Sequence, residues 1–190
     1  MAVSVSLGCV AAMALLAGAG CSKAPESTAS GGGTSMSGSA EAATIVVTRA
    51  ALESTPQPWV LATPESAVRS YLAWTSYAYR IGDSRVATDT MTGDEGVRVD
   101  AYIQLNLQKY QLIDQELASI AFGKPSIEDT HATVPAKETW TYRYVSTKDA
   151  GQTVAGPYSA SYDATYTVVK SAGGRWVVDS AAVKALGAVK

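Results

Sequence analysis

The sequence predicts an α+β domain, with helices first and an antiparallel meander after them. Three observations carry that expectation. Between residues 63 and 120, apolar side chains recur at spacings of three and four, the period of a helix face. From residue 132 to 182 they recur at every second position, the period of a strand with one buried face. Turn sequences containing glycine, KDAGQ at 148–152 and SAGGR at 171–175, punctuate the second region. Helices followed by antiparallel strands should cover one face of a curved sheet.

The elements follow in order. Thr63-Pro64-Glu65 is a helix start: an N-cap oxygen, a proline in the first turn, and an acid near the positive end of the dipole. That helix should run to about Ile81 and close on Gly82. Its apolar positions are Val68, Leu72, Thr75 and Tyr79, with Ala67, Tyr71, Trp74, Ala78 and Ile81 beside them. So wide a stripe predicts cover on more than one side. A short helix is expected from Ser84 to Met91, ended by Gly93 and Asp94.

A third helix is expected from about Glu95 to Ile120, with Val99, Ile103, Asn106, Tyr110, Ile113, Leu117 and Ile120 on one face. Asn106 is the polar member of that stripe. Gln104, Gln108, Gln111 and Gln115 read as its solvated flank, and Gly123 and Pro125 as its stop. Ser126 to Asp129 suits a short leading strand. Three alternating runs follow: Ala132 to Tyr144, Tyr158 to Val168, and Trp176, Val178, Ser180 and Ala182.

The first residues are an address and not fold material. LGCVAAMALLAGAG at 7–20 is an uncharged run of 14 residues. A membrane-spanning helix needs about 20, whereas a signal-peptide core needs about 7–15 with small residues after it. The run ends at Cys21 and resembles a bacterial lipoprotein signal, in which the cysteine is lipidated and becomes the new N-terminus. Gly18 stands where such signals usually carry Leu, and neither Lys nor Arg precedes the apolar run. An ordinary cleavage after Ala17-Gly18-Ala19 would instead leave Cys21 free. The chain has only Cys9 and Cys21. Removal of residues 1–20 leaves one thiol and no internal disulfide, which agrees with Cys21 as an attachment point.

Residues 22–43, rich in Ser, Gly and Ala, have the composition of a flexible tether. TIVVTR at 44–49 has the composition of a short strand, and Pro56 and Pro58 break the chain before the domain. The expected organisation is a signal peptide at 1–20, a lipidated Cys21 with tether and extended lead-in to 62, and one domain at 63–185.

Composition excludes several functions. A net charge of −2 and 17% charged residues give no basic stripe for nucleic acid, and the densest candidate is Lys137 with Arg143. The only His is His131, and one mature Cys remains, too few donors for a zinc site or a Ser–His or Cys–His mechanism. Gly123-Lys124 is followed by Pro125 and has no phosphate-loop context. Neither a cofactor nor a metal is expected.

What stands out is ten Tyr against one Phe, and a carboxylate on an apolar strand face. Glu138 alternates with Ala136, Trp140, Tyr142 and Tyr144. An unpaired buried carboxylate costs several kcal/mol. Either Tyr, Trp or backbone donors satisfy Glu138 in a structural network, or it meets water and a ligand at a cavity wall.

The order helix, short helix, long helix, antiparallel strands, together with SAVRSYLAWTSYAYRIGD, KETWTYRYVS, SYDATYTVV and GGRWVVDS, resembles the nuclear transport factor 2-like superfamily. Within it the chain is most similar to IMS-type domains. The marks are Leu72 and Trp74, Glu138 and Trp140, Tyr162 and Tyr166, and Gly174-Arg175-Trp176. The resemblance implies a cone-shaped fold over about 64–184. Its lining would include Glu138, Tyr142, Tyr162 and Tyr166, with Asn106 and Tyr71 from the helices.

These six are the candidate ligand-binding residues. The resemblance implies a non-catalytic module for a small apolar ligand or an envelope protein partner, held by its lipid on the extracytoplasmic side of the cell membrane. A homodimer stays open. The alternative is an exported isomerase- or cyclase-like enzyme, with Glu138 as general base and a Tyr as donor.

Overall fold

The computed structural model describes residues 55–149 and 151–187. The expectations for the signal peptide, Cys21, the tether and the 44–49 strand lie outside the described residues.

Helix α1 spans Pro64–Ile81. Thr63 caps it: its hydroxyl accepts from Ser66 N at 3.2 Å, and Ser66 Oγ accepts from Thr63 N at 3.0 Å. Gly82, at φ 75°, closes the helix as expected, its N–H donating to the Ala78 carbonyl. A 3-10 helix, η1, follows at Ser84–Thr90. Helix α2 spans Gly93–Gln108, with Thr92 as its N-cap.

The third helix is therefore shorter than the sequence reading, and strand β1 occupies Gln111–Phe122. Tyr110, at φ 55°, takes the chain out of the helix. The spacing that suggested a longer helix has a specific origin. A bulge in β1 between Leu117 and Ser119 turns an inward spacing of two into one of three. Ile113, Leu117 and Ile120 then stand opposite Tyr144, Trp140 and Glu138 of the neighbouring strand, yet keep helical intervals. Gln111 and Gln115 belong to this strand and do not continue a helix flank.

Strands β2 (Ser126–Glu128), β3 (His131–Ser146), β4 (Thr153–Lys170) and β5 (Trp176–Ala185) complete a five-stranded antiparallel sheet. Its order is β1-β3-β4-β5, with β2 on β3. The helices cover one face. On that face Ala132, Val134, Ala136, Glu138, Trp140 and Tyr142 of β3 are buried, as are Ala160, Tyr162, Ala164, Tyr166 and Val168 of β4. The opposite face is solvated and carries Thr133, Lys137, Thr141, Ser159, Ser161 and Thr165.

The alternation breaks in two places. Past Tyr142 a register shift leaves Tyr144 half-buried and turns Val145 inward. In β5, Thr167 faces Ser180 but Val168 faces Val178, so Asp179 is the extra residue. Trp176 and Val178 point inward as predicted, but beyond the bulge Ala181 is buried and Ala182 is exposed, reversing the expected parity.

The lead-in also packs, and this accounts for the wide stripe on α1. Val60 N donates to Ser70 Oγ at 2.9 Å, Trp74 Nε1 to the Gln57 carbonyl at 3.2 Å, and Trp176 N to the Leu61 carbonyl at 3.0 Å. Sheet on one side and lead-in on another leave α1 with two covered flanks.

Gly156 holds the bulged end of β3 against β4. It sits at φ 95°, and an added Cβ would lie 3.1 Å from both Arg143 Cα and the Tyr142 carbonyl oxygen. Gly156→Ala should lower unfolding free energy in urea by about 1–3 kcal/mol. Gly93→Ala, where nothing lies within 4 Å, should stay within about 0.5 kcal/mol. Equal midpoints for the two variants would contradict the strain assigned to Gly156.

Candidate functional site

Glu138 sits on the inner face of β3 with 4% of its surface exposed. Strand alternation puts Trp140 on the same face, and its Nε1 donates to Glu138 Oε2 at 2.8 Å. Tyr166 reaches it from β4. Its register partner is Val134, so the ring lies diagonal to Glu138, and its hydroxyl donates to Oε1 at 2.5 Å. Both carboxylate oxygens are thus engaged. Burial raises the Glu138 carboxyl above its usual range, against the pull of the Tyr166 and Trp140 hydrogen bonds.

A second buried acid lies behind it. Glu95, in the first turn of α2, is 1% exposed. The hydroxyl of Tyr71, from α1, donates to Glu95 Oε1 at 2.6 Å. Arg98, one turn further along α2, donates to Glu95 Oε2 at 2.5 Å and to the Asp179 carbonyl at 3.2 Å. The Tyr71 and Tyr166 rings meet edge to face at 6.2 Å. Arg98, Glu95 and Tyr71 therefore abut Tyr166, Glu138 and Trp140, and the chain of contacts joins α1, α2, β3 and β4. Burial, before any neighbouring charge, holds both phenols well above the usual tyrosine range.

The six predicted residues divide. Glu138, Tyr166 and Tyr71 come together in this network. Tyr162 stands opposite Glu138 in register, while the Glu138 oxygens go to Tyr166 and Trp140. Tyr142 belongs to an aromatic cluster, 5.3 Å from Tyr158 and 6.2 Å from Tyr144. Burial there pushes its phenol up to about 12, with neighbouring tyrosines adding to the shift. Asn106 is turned to the end of its own helix. Its Nδ2 donates to the Tyr102 carbonyl at 2.8 Å and its Oδ1 accepts from Gln111 at 2.9 Å.

Sequence reasoning treated Glu95 only as a helix start. The signal for its burial was present, since Glu95 precedes Val99 and Ile103 at intervals of four on the same buried stripe.

A depression of about 410 Å³ near the end of β1 is lined by Phe122, Pro135, Lys137, Asp163 and Thr165 among others, and by none of the six. His131 opens β3, exposed, beside Thr130. Among the described residues no cluster of acids, His and Cys could hold a metal, and no helix is long and apolar enough to cross a membrane.

Glu138→Ala would leave the Trp140 N–H and the Tyr166 hydroxyl without an acceptor, and should cost about 2–4 kcal/mol of stability. Glu138→Gln keeps an acceptor for Trp140 and lets the Tyr166 hydroxyl accept, so it should cost much less. The raised carboxyl also fixes a sign. Because the folded group titrates above its ordinary value of 4.5, its stabilising contribution is full below that value. It is lost as pH rises through the folded pKa. Urea melts across this window should show the loss in the parent chain and a flatter profile in Glu138→Gln.

No family model matches the sequence, and no curated protein matches it. Solved structures do. The intermembrane space region of the chloroplast protein ARC6 superposes with a TM-score of 0.55 at 17% identity, over 68% of this chain and 99% of that one. A ketosteroid isomerase-like protein from Erwinia carotovora atroseptica SCRI1043 gives a TM-score of 0.45 at 18% identity, over 67% of this chain and 97% of that one. Helices packed on one face of a curved, open five-stranded antiparallel sheet give this chain the nuclear transport factor 2-like fold.

Proposed function

We propose that the protein is a lipid-anchored cell-envelope protein whose domain binds an envelope protein partner through its surface, without catalysis. One observation carries this reading: the interior is closed by its own hydrogen bonds. Both oxygens of Glu138 and both of Glu95 accept from the chain's own donors. A general base must present a free lone pair to its substrate. Glu138 is 4% exposed with a donor on each oxygen, so its remaining lone pairs face the packed interior, which weighs against the isomerase-like alternative. The same closure argues against an apolar ligand held within the cone, because Tyr71, Tyr166, Leu72 and Ile113 already fill that space.

The envelope location is supported by the signal ending at Cys21 and by the Ser/Gly-rich stretch after it. A structural neighbour taken from an intermembrane space agrees with such a compartment. The reading has two separable tests. Cys21→Ala should move the protein from the membrane fraction to the soluble exported fraction and abolish incorporation of a labelled fatty acid. Native mass spectrometry of the protein from its host should give the lipidated polypeptide mass alone. A stoichiometric co-purified small molecule would overturn the assignment of binding to the surface.

A further inference from the structure

We propose that the aromatic surface formed by Pro58, Trp59, Val60 and Trp74 rests on the lipid headgroup layer of the membrane that holds the chain; this builds on the anchored reading above. Pro58, Trp59 and Val60 are consecutive and exposed, with Trp59 at 36% and Val60 at 57%, while the next residue, Leu61, is buried. The lead-in thus inserts Leu61 and holds Pro58, Trp59 and Val60 outward.

They are held firmly. Hydrogen bonds to Ser70 and from Trp74 fix the backbone on either side of Trp59. The Trp59 ring meets Trp74 at 5.5 Å, and Trp74 meets Tyr77 at 6.0 Å. A supported aromatic surface pays little ordering entropy on contact. Trp and Tyr are the side chains that collect at membrane–water interfaces, where an apolar ring carries a polar edge.

The occupant is indicated by where the chain enters. Thr55, the first described residue, lies three positions before Pro58, and its hydroxyl reaches Tyr77 at 3.5 Å. Residues 22–54 separate it from Cys21. The Ser/Gly-rich part of that stretch, 22–43, has the composition of a tether, which as a flexible chain would span about 25 Å root-mean-square. The chain therefore joins the domain at this aromatic surface, and a lipid on Cys21 would keep the surface within short reach of the bilayer.

The test uses the chain from Cys21 onward, which retains the whole fold described from Thr55. Cys21, then its only thiol, is coupled to a maleimide lipid in phosphatidylcholine vesicles, so contact is measured whether or not the cell lipidates that residue. Vesicles with brominated acyl chains should quench part of the tryptophan emission. Trp140 and Trp176 are buried, so the quenching should come from Trp59 and Trp74, and Trp59→Ala should remove the Trp59 share while the circular dichroism of the fold stays unchanged. Val60→Asp, which keeps every tryptophan, should also reduce it. Equal emission in brominated and plain vesicles would overturn the proposal. So would a shift in plain vesicles that grows with protein density, which would assign the surface to a second copy of the chain.

Discussion

The fold depends on a pairing of buried carboxylates with buried phenols. Neither partner is comfortable alone. A tyrosine fills a core as phenylalanine does, but its hydroxyl needs an acceptor. A carboxylate in the same place needs donors, and leaving a buried polar group unsatisfied costs about 1–3 kcal/mol, more for a charged one. Here Tyr71 serves Glu95 and Tyr166 serves Glu138, while the two rings pack against each other. The unusual ratio of Tyr to Phe and the charged residue on an apolar strand face are two sides of one constraint.

That constraint also sets how the layers meet. An all-apolar core of the same volume could be as stable, and often more so. Hydrogen bonds near 2.5–2.8 Å tolerate little displacement, and here they run from α1 to α2 and from β3 to β4. The Asp179 carbonyl, placed at the β5 bulge, takes the remaining reach of Arg98 and ties the last strand to the same chain of contacts. The bulge that reversed the parity of Ala181 and Ala182 thus leaves a backbone acceptor where α2 needs one.

Much of this was legible in the sequence, and what was not has identifiable causes. Period-two patterning located the inner faces of β3 and β4, because a register slip would have exposed a whole row of apolar groups. The caps Thr63 and Gly82 were equally plain, being local chemistry. The long third helix failed because a bulge in β1 imitated helical spacing, and a bulge is fixed by strand pairing, which a single stretch of sequence does not display. The ends of β3 and β5 were misjudged for the same reason. At the site, Glu138 and its phenol were readable from alternation. Glu95 was obscured by its place in a first helical turn, where an acid has an ordinary reason to be. Tyr142 and Asn106 lie on buried faces as read, but a face contains several environments, and parity does not choose among them.

A closed interior changes what the rest of the molecule has to do. With Glu138 and Glu95 occupied by internal donors, the side chains that the core leaves over fall on two surfaces. The solvated sheet face offers short hydroxyls, with Lys137 opposite Asp163. The lead-in offers the reverse, exposed Pro58, Trp59 and Val60 braced on a helix that the carboxylate network holds in place. Polar and aromatic contact chemistry are thus divided between two different surfaces of one domain. The aromatic one lies where the chain arrives from Cys21, and α1 carries it on one flank while its other flank contributes Tyr71 to the core.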